Sequence, residues 1–294
     1  MSTLKNKIDF ALILNVTRSN PNGDPLNGNR PRTDYDGYGE ISDVCLKRKI
    51  RDRLQEYLTG FGKTIFVQCD DRKSDDMNSL RERAESKIHG LGKEYFEKKA
   101  DKKKTVAAAC EKWFDVRAFG QLFAFAGGKK KKGNDDGTSD ADGVSIPIRG
   151  PVTIQSAFSV EPVSVSSIQI TKSVSGEGDG TKRAADTMGM KHRVDKGVYV
   201  TFGSMNPQLA ERTGFSDEDA DTIKQLLPKL FENDASSARP EGSMAVLKVI
   251  WWKHNCKAGQ YSSAKVHRSL TVKPEGSYSL VELPGLKPEE IDGF

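Results

Sequence analysis

The sequence predicts an α+β fold, and three stretches of it carry that prediction. Ile8, Phe10, Leu12, Leu14 and Val16 alternate with Asp9, Ala11, Ile13 and Asn15, the period of two expected of a strand with one firmly buried face. Leu46, Ile50, Leu54, Tyr57 and Leu58 recur at helical spacing and define one apolar stripe. Met244 to Trp252 is a nearly continuous apolar run, as a central strand covered on both faces requires.

The remaining elements follow in chain order. Arg18 to Gly39 fills with Asn, Pro, Gly and Asp, which extend neither helix nor strand, so a long loop follows the first strand. Ser42 or Asp43 is placed to cap the first helix, which should run to about Leu58 and pack on the sheet. Ile65-Phe66-Val67 is too short to classify, whereas Asp70 to Lys104 reads as a highly charged amphipathic helical segment. Ala107 to Ala126, with Trp113, Phe114, Phe119, Phe123 and Phe125, reads as a buried helix. Gly127 to Gly143 has almost nothing with which to fill a core and reads as a mobile surface loop.

Strands resume with Val152, Ile154, Phe158 and Val160, and again with Val198, Val200 and Phe202. The Gly- and Lys-rich excursion between them, Glu161 to Gly197, is too long for an ordinary hairpin turn. Ser216 opens a second helix, with acidic residues in its first turns and Ile223, Leu226, Leu227, Leu230 and Phe231 on one face. With residues 60–148 set aside as a helical insertion, the order is strand, helix, strand, strand, helix, strand. That is the ferredoxin-like plan, which RNA-recognition modules also use.

At 294 residues the chain is long for one compact domain and short for two, which suggests one core with large insertions. Its 36% hydrophobic and 30% charged residues fit a soluble protein with a long polar surface. A net charge of +5 does not by itself imply a nucleic-acid partner, but the distribution of charge allows a basic face. Basic residues concentrate in Lys47 to Arg53, Lys98 to Lys104, Lys129 to Lys132 and Lys182 to Arg193. Cys45, Cys69, Cys110 and Cys256 have no paired spacing, which argues against a disulfide framework or zinc site. No run approaches the roughly 18 apolar residues of a membrane helix, and the N-terminus lacks a signal-like apolar core. A reduced cytoplasm is the expected location.

The first helix carries the most informative motif. Lys47 with Arg51, and Lys49 with Arg53, stand at i, i+4 spacing, where like charges repel by about 0.2–0.5 kcal/mol per pair. A polyanion would account for that arrangement, and a solvated basic face is the plainer alternative. The preceding loop adds Arg18, Arg30 and Arg32 among Asn20, Asn22, Asn27 and Asn29, donors suited to phosphates and sugar hydroxyls without sequence readout, or simply a turn-rich connector. In the excursion, Thr187 to Arg193 joins Met188 and Met190 to Lys191, His192 and Arg193 and reads as a protruding tip. Methionines there can wedge against bases, or can tuck under the loop. Lys129 to Lys132 reads as a solvated run or an electrostatic finger.

Enzyme signatures are missing from the sequence. It holds no phosphate-cradling P-loop, Gly176 to Gly180 lacks the context of a dinucleotide turn, and Asp140 to Gly143 matches a calcium loop only superficially. His89, His192, His254 and His267 have no metal spacing. Neither metal nor cofactor is expected, and the chain reads as non-enzymatic.

Asn20-Pro-Asn-Gly-Asp-Pro25, Asn27-Gly-Asn-Arg-Pro-Arg32 and Ser42 to Arg51 closely resemble the opening of the repeated backbone subunit of type I-C CRISPR (Cascade) surveillance complexes. The likeness continues through Asp115 to Gly120, Arg149 to Gln155 and Met188 to His192. The resemblance implies a hand-shaped subunit: a palm in residues 1–59, 149–160 and 198–294, helical fingers in 60–148, and a thumb in 161–197. It implies that copies stack head to tail along one crRNA, with other Cascade subunits capping the two ends and target DNA recognised through the guide. Lys47, Lys49 and Arg51 would contact the guide backbone, Arg117 would belong to the same RNA-binding set, and Met188 or Met190 would sit beside a displaced base. Met190 stands where the family pattern leads one to expect a basic residue, so the wedging side chain stays undecided. The competing reading is a metal-dependent endoribonuclease on the same fold, with Asp24, Asp34 or Asp36 as candidates by position.

Overall fold

A computed structural model of the chain describes residues 2–58, 64–125, 144–174 and 188–294. Its centre is an antiparallel sheet built on β1 (Ile8–Ser19). After β1 the loop makes a two-rung ladder between β2 (Gly23–Asp24) and β3 (Arg30–Pro31), then β4 (Tyr38–Ile41) leads into α1 (Asp43–Tyr57). The Ser42 hydroxyl caps α1 by accepting from the Cys45 amide.

The insertion is less helical than its charge pattern predicts. It holds α2 (Leu80–Glu85), a single 3-10 turn at Lys93–Phe96, α3 (Lys102–Lys112) and α4 (Phe114–Phe119). Between α2 and the 3-10 turn the chain folds back so closely that a Cβ on Gly90 would lie 2.1 Å from the Arg83 carbonyl oxygen. The helix expected from Ala107 to Ala126 breaks twice. Trp113 is extended where the Phe114 amide donates to Thr64, and Gly120 begins β5 (Gly120–Phe125), which pairs with β6 (Val144–Arg149). At Gly120 φ is 80° and a Cβ would meet the Ile148 carbonyl oxygen at 2.3 Å, so the turn from helix to strand needs glycine. Phe66, Phe96, Trp113 and Phe123 fill this subdomain's own core, with ring centroids 4.7 to 5.2 Å apart for Phe66–Trp113, Phe66–Phe123 and Phe96–Phe123. Gly127 to Gly143, with Lys129 to Lys132, lies outside the described residues.

β7 (Val152–Ile154), β8 (Ala157–Pro162) and β9 (Val165–Thr171) each pair with the 18-residue β10 (Met188–Met205). α5 (Pro207–Thr213) and α6 (Asp217–Leu226) follow, the latter opened by a capping box between Ser216 and Asp219. β11 (Met244–Lys253) then enters beside β1. The order β14-β11-β1-β10-β8-β4 contains the ferredoxin-like arrangement β11-β1-β10-β8 with one strand added at each edge.

β1 is buried on both faces, not one. Phe10, Leu12, Leu14 and Val16 join Leu46, Ile50 and Leu54 of α1 and Ala220, Ile223 and Leu226 of α6. On the other face Ala11 and Ile13 meet Ile250 and Trp252 under a lid made by the C-terminal segment. That segment comprises α7 (Ser263–His267), β12 (Leu270–Val272), β13 (Tyr278–Leu280) and β14 (Glu289–Asp292), and its Val266, Leu270, Leu283 and Leu286 close the second core. The face on which RNA-recognition folds stack bases is therefore filled with protein over this stretch of the sheet.

Candidate nucleic-acid interface

The basic first helix spends its cations internally. Lys47 pairs with Asp43 at 2.9 Å, Arg51 with Asp115 at 2.9 Å, and Arg53 with Glu56 at 2.7 Å. Lys49 is 2% exposed and pairs with Asp234, under the Phe231 ring. Burial lowers its ammonium from the usual lysine range, with Asp234 opposing that shift. Arg117 is likewise buried, held by Asp219. Lys49 and Arg117, expected as RNA contacts, are thus committed to the interior, and Arg51 is tied down beside Asp115. The i, i+4 repulsion is answered partly by the helix's own Asp43 and Glu56 and, at Lys49 and Arg51, by Asp234 and Asp115, which are distant in sequence.

The loop residues divide. Asn22 accepts the Ser42 amide and hydroxyl, both at 2.9 Å, and so fixes the start of α1. Asn20 is buried and donates to the Asn29 carbonyl at 2.7 Å. Arg32 faces Asp24 at 3.5 Å. Arg18 and Arg30 are exposed. Arg18 has φ 50°, and β1 skips it in the ladder, pairing Thr17 with Lys196 and Ser19 with Val194. Asp24 and Asp34 are engaged in turns, Asp24 capping Leu26 and Asp34 accepting from Asp36 and Tyr38; Asp36 is exposed.

Arg30 leads to the part of the excursion with most to offer. Residues Met188 to Arg193 are not a tip but one strand of a hairpin with β9, while Thr187 lies outside the described residues. Register separates the hairpin's faces. Met190 opposes Gln169 and His192 opposes Ser167, so Met188, Met190 and His192 share one face, continuous with Val194 in the helix-side core. Met188 and Met190 are 65% and 56% exposed. Arg30 donates to the Ser167 hydroxyl at 2.8 Å, and that hydroxyl lies 2.8 Å from His192 Nδ1. Lys191 and Arg193 occupy the opposite face with Ile168 and Ser166. The sequence pointed to Met188, Met190 and His192 but missed Ser167 and Gln169, which only strand register brings beside them.

A second cluster also escaped notice because Asp9 alternates like a solvent-facing residue. It is fully buried, 2.9 Å from His254 Nε2 and 3.3 Å from Lys7 Nζ, with His267 Nε2 at 3.4 Å. The Gln260 amide donates to His254 Nδ1, which places the imidazole hydrogen on Nε2, toward Asp9. The cluster pins the C-terminal lid to β1.

The family model for "CRISPR-associated protein Cas7" matches residues 6–284. The chain belongs to the Cas7 family. The curated Cas7 of Haloferax volcanii is 28% identical over 284 residues, spanning 95% of this chain and 79% of that protein. Among solved structures, chains of a "CRISPR RNA-guided surveillance complex, pre-nicking" and a "CRISPR RNA-guided surveillance complex" align at TM-scores of 0.44 and 0.43. They are 18% and 15% identical, with 84% of this chain covered in each case, and 75% and 68% of theirs. Among the described residues of this Cas7-family chain no group of His, Cys, Asp or Glu is arranged to hold a metal ion, and no helix is long and apolar enough to cross a membrane.

Proposed function

We propose that this Cas7-family chain is the non-catalytic guide-RNA subunit of a type I-C surveillance complex, laid head to tail along one crRNA, with other subunits at the ends and target DNA read through the guide. One observation carries the reading. The Arg30–Ser167–His192 chain fixes the basic loop to the helix-side face of the hairpin, beside two exposed methionines. That face offers cations and hydrogen-bond donors for phosphates, with flexible apolar side chains able to pack against a base turned out of the stack. Arg18, exposed where the hairpin leaves the sheet, extends it. The sequence blocks at Asn20 to Arg32 and Met188 to His192 support the type I-C assignment.

Single-stranded RNA should bind with little sequence preference and steep salt dependence, and remain intact with magnesium present. Fluorescence anisotropy at low salt, followed by gel analysis of the same RNA, tests both halves. Absence of binding removes the RNA reading, and magnesium-dependent cleavage lost in Asp24→Asn would turn the assignment to a nuclease.

A further inference from the structure

We propose that the C-terminal segment carries a docking groove for another protein, which adds an extended, cationic segment as a strand to the open edge at β14. The groove has a volume of about 570 Å³, in the range typical of ligand pockets. Trp252, Leu280, Leu283 and Leu286 give it apolar walls, and Val281, which also lines it, is left 67% exposed. Its shape is set by the chain itself. The Leu286 amide donates to the Leu283 carbonyl at 2.9 Å, the Tyr261 hydroxyl to the Pro284 carbonyl at 2.9 Å, and Gln260 Nε2 to the Gly285 carbonyl at 2.7 Å. An incoming side chain therefore enters a formed cavity, with no loop to order first.

The groove adjoins an open strand. Glu290 belongs to its lining and lies on β14, the last strand at its end of the sheet. Among the described residues no strand pairs with the outer edge of β14, and Glu289, Glu290 and Asp292 are exposed. Such an edge offers main-chain donors and acceptors to an added strand, whose side chains alternate between the two faces. One of those faces is the groove's. Glu290 stands in register with Ile250, whose side chain sits in the lid-side core with Trp252, Leu283 and Leu286.

Charge selects the occupant. From Lys273 to Asp292, Glu275, Glu282, Glu289, Glu290 and Asp292 stand against Lys273 and Lys287, a net charge of −3 in a chain whose total is +5. Glu289 and Asp292 are met by Lys224 and Lys248. At the groove, Glu282 and Glu290 have no ion-pair partner among the described residues, and Glu290 accepts from the Tyr278 hydroxyl. An acidic rim repels phosphate, which sets this surface apart from a nucleic-acid face. It also opposes a second copy docked edge to edge, because two acidic strands would then lie side by side. A foreign segment alternating apolar residues with Lys or Arg meets the edge, the groove and the rim together. The site shares no residue with the hairpin face and does not rest on the guide-RNA reading.

The probe is a short fluorescein-labelled peptide alternating valine with lysine, and its counterpart carries glutamate in place of each lysine. Anisotropy at low salt measures both on the full chain. Wild type should bind the lysine peptide at least about tenfold more tightly than the glutamate peptide, and the chain carrying Glu282→Lys and Glu290→Lys should reverse that order. Binding of the glutamate peptide by the variant shows that it is folded. Two further lysine peptides are N-methylated, one at every valine and one at every lysine, since a strand presents the amides of alternate residues on opposite edges. One of them should lose at least about tenfold in affinity and the other keep it. Equal binding of the lysine and glutamate peptides to wild type, an unchanged preference in the variant, or methylated peptides that bind alike overturns the proposal. Self-association of the wild-type chain in analytical ultracentrifugation, abolished by Glu282→Lys with Glu290→Lys, would assign the groove to a second copy and overturn it equally.

Discussion

Arg117 grips Asp219 with two parallel hydrogen bonds, Nε to Oδ2 at 2.8 Å and Nη2 to Oδ1 at 2.9 Å, joining α4 of the insertion to the first turn of α6. Both groups are buried, and Nη1 donates to the Cys110 carbonyl at 2.6 Å. The pair is thus one fastening of the insertion to the sheet side of the molecule, beside the Arg51–Asp115 pair and Phe114 and Ala118 in the helix-side core. Removing Arg117 takes the guanidinium from the buried Asp219 and leaves it the Ser216 amide donor, so Arg117→Ala should cost about 3–5 kcal/mol. Arg117→Lys should recover little, because an ammonium cannot reproduce the two-bond fork. Urea midpoints measure both, and a lysine variant as stable as wild type would contradict the fastening role.

Asp9 gives the fold an acid-sensitive point. Burial pushes its carboxyl upward, but the hydrogen bond from His254, the neighbouring His267 and Ser263 side chains and the charge of Lys7 outweigh it and hold the group well below the usual carboxylate range. Since the folded value lies below the unfolded one of about 3.9, the stabilisation is complete above that pH and disappears as pH falls through the folded value. Asp9→Asn should therefore lower stability by about 3–5 kcal/mol near neutrality and lose stability less steeply than wild type below about pH 4. Denaturation midpoints taken at a series of pH values check this, and parallel curves for the two proteins would refute it.

Arg18 combines backbone strain with exposure. A non-glycine residue at φ 50° costs roughly 1–2 kcal/mol, and among the described residues none pairs with its guanidinium. Arg18→Gly should raise stability by about 1 kcal/mol while weakening single-stranded RNA binding and lowering its salt slope by about one. Thermal denaturation and anisotropy on one preparation test the trade. A variant that gains stability at no cost in affinity would take Arg18 out of the interface.

Local features were legible from sequence, and contacts between distant residues were not. β1, α1 and α6 announced themselves through periodicity and β11 through its continuous apolar run, and Ser42 and Ser216 marked the helix starts they cap. The break at Gly120 depends on the Ile148 backbone, which lies far along the chain. Asp9 sat at a polar alternation position, yet the lid that buries it comes from residues beyond His254. The same limit governed the site. The hairpin methionines stood out as a motif, whereas Lys49 and Arg51 of α1 looked free because Asp234 and Asp115 approach them only after folding.

That redistribution yields the sharpest comparison between two cations, Lys49 and Arg30. Lys49 is enclosed by Asp234 and Phe231, while Arg239 also reaches Asp234 at 3.1 Å. Lys49→Met keeps the side-chain length and leaves Asp234 one cationic partner, so the expected cost is a moderate 1–3 kcal/mol or so in stability, without change in RNA affinity. Arg30 is exposed and, among the described residues, its side chain bonds only to the Ser167 hydroxyl, so Arg30→Ala should leave stability within about 0.5 kcal/mol of wild type. It removes a phosphate-directed charge and frees Ser167 and His192 to reorient, which should weaken RNA binding several-fold and flatten its salt dependence by about one. The opposite outcome, RNA binding lost with Lys49→Met and kept with Arg30→Ala, would place the RNA along the first helix and require the Lys49 pair to open on binding.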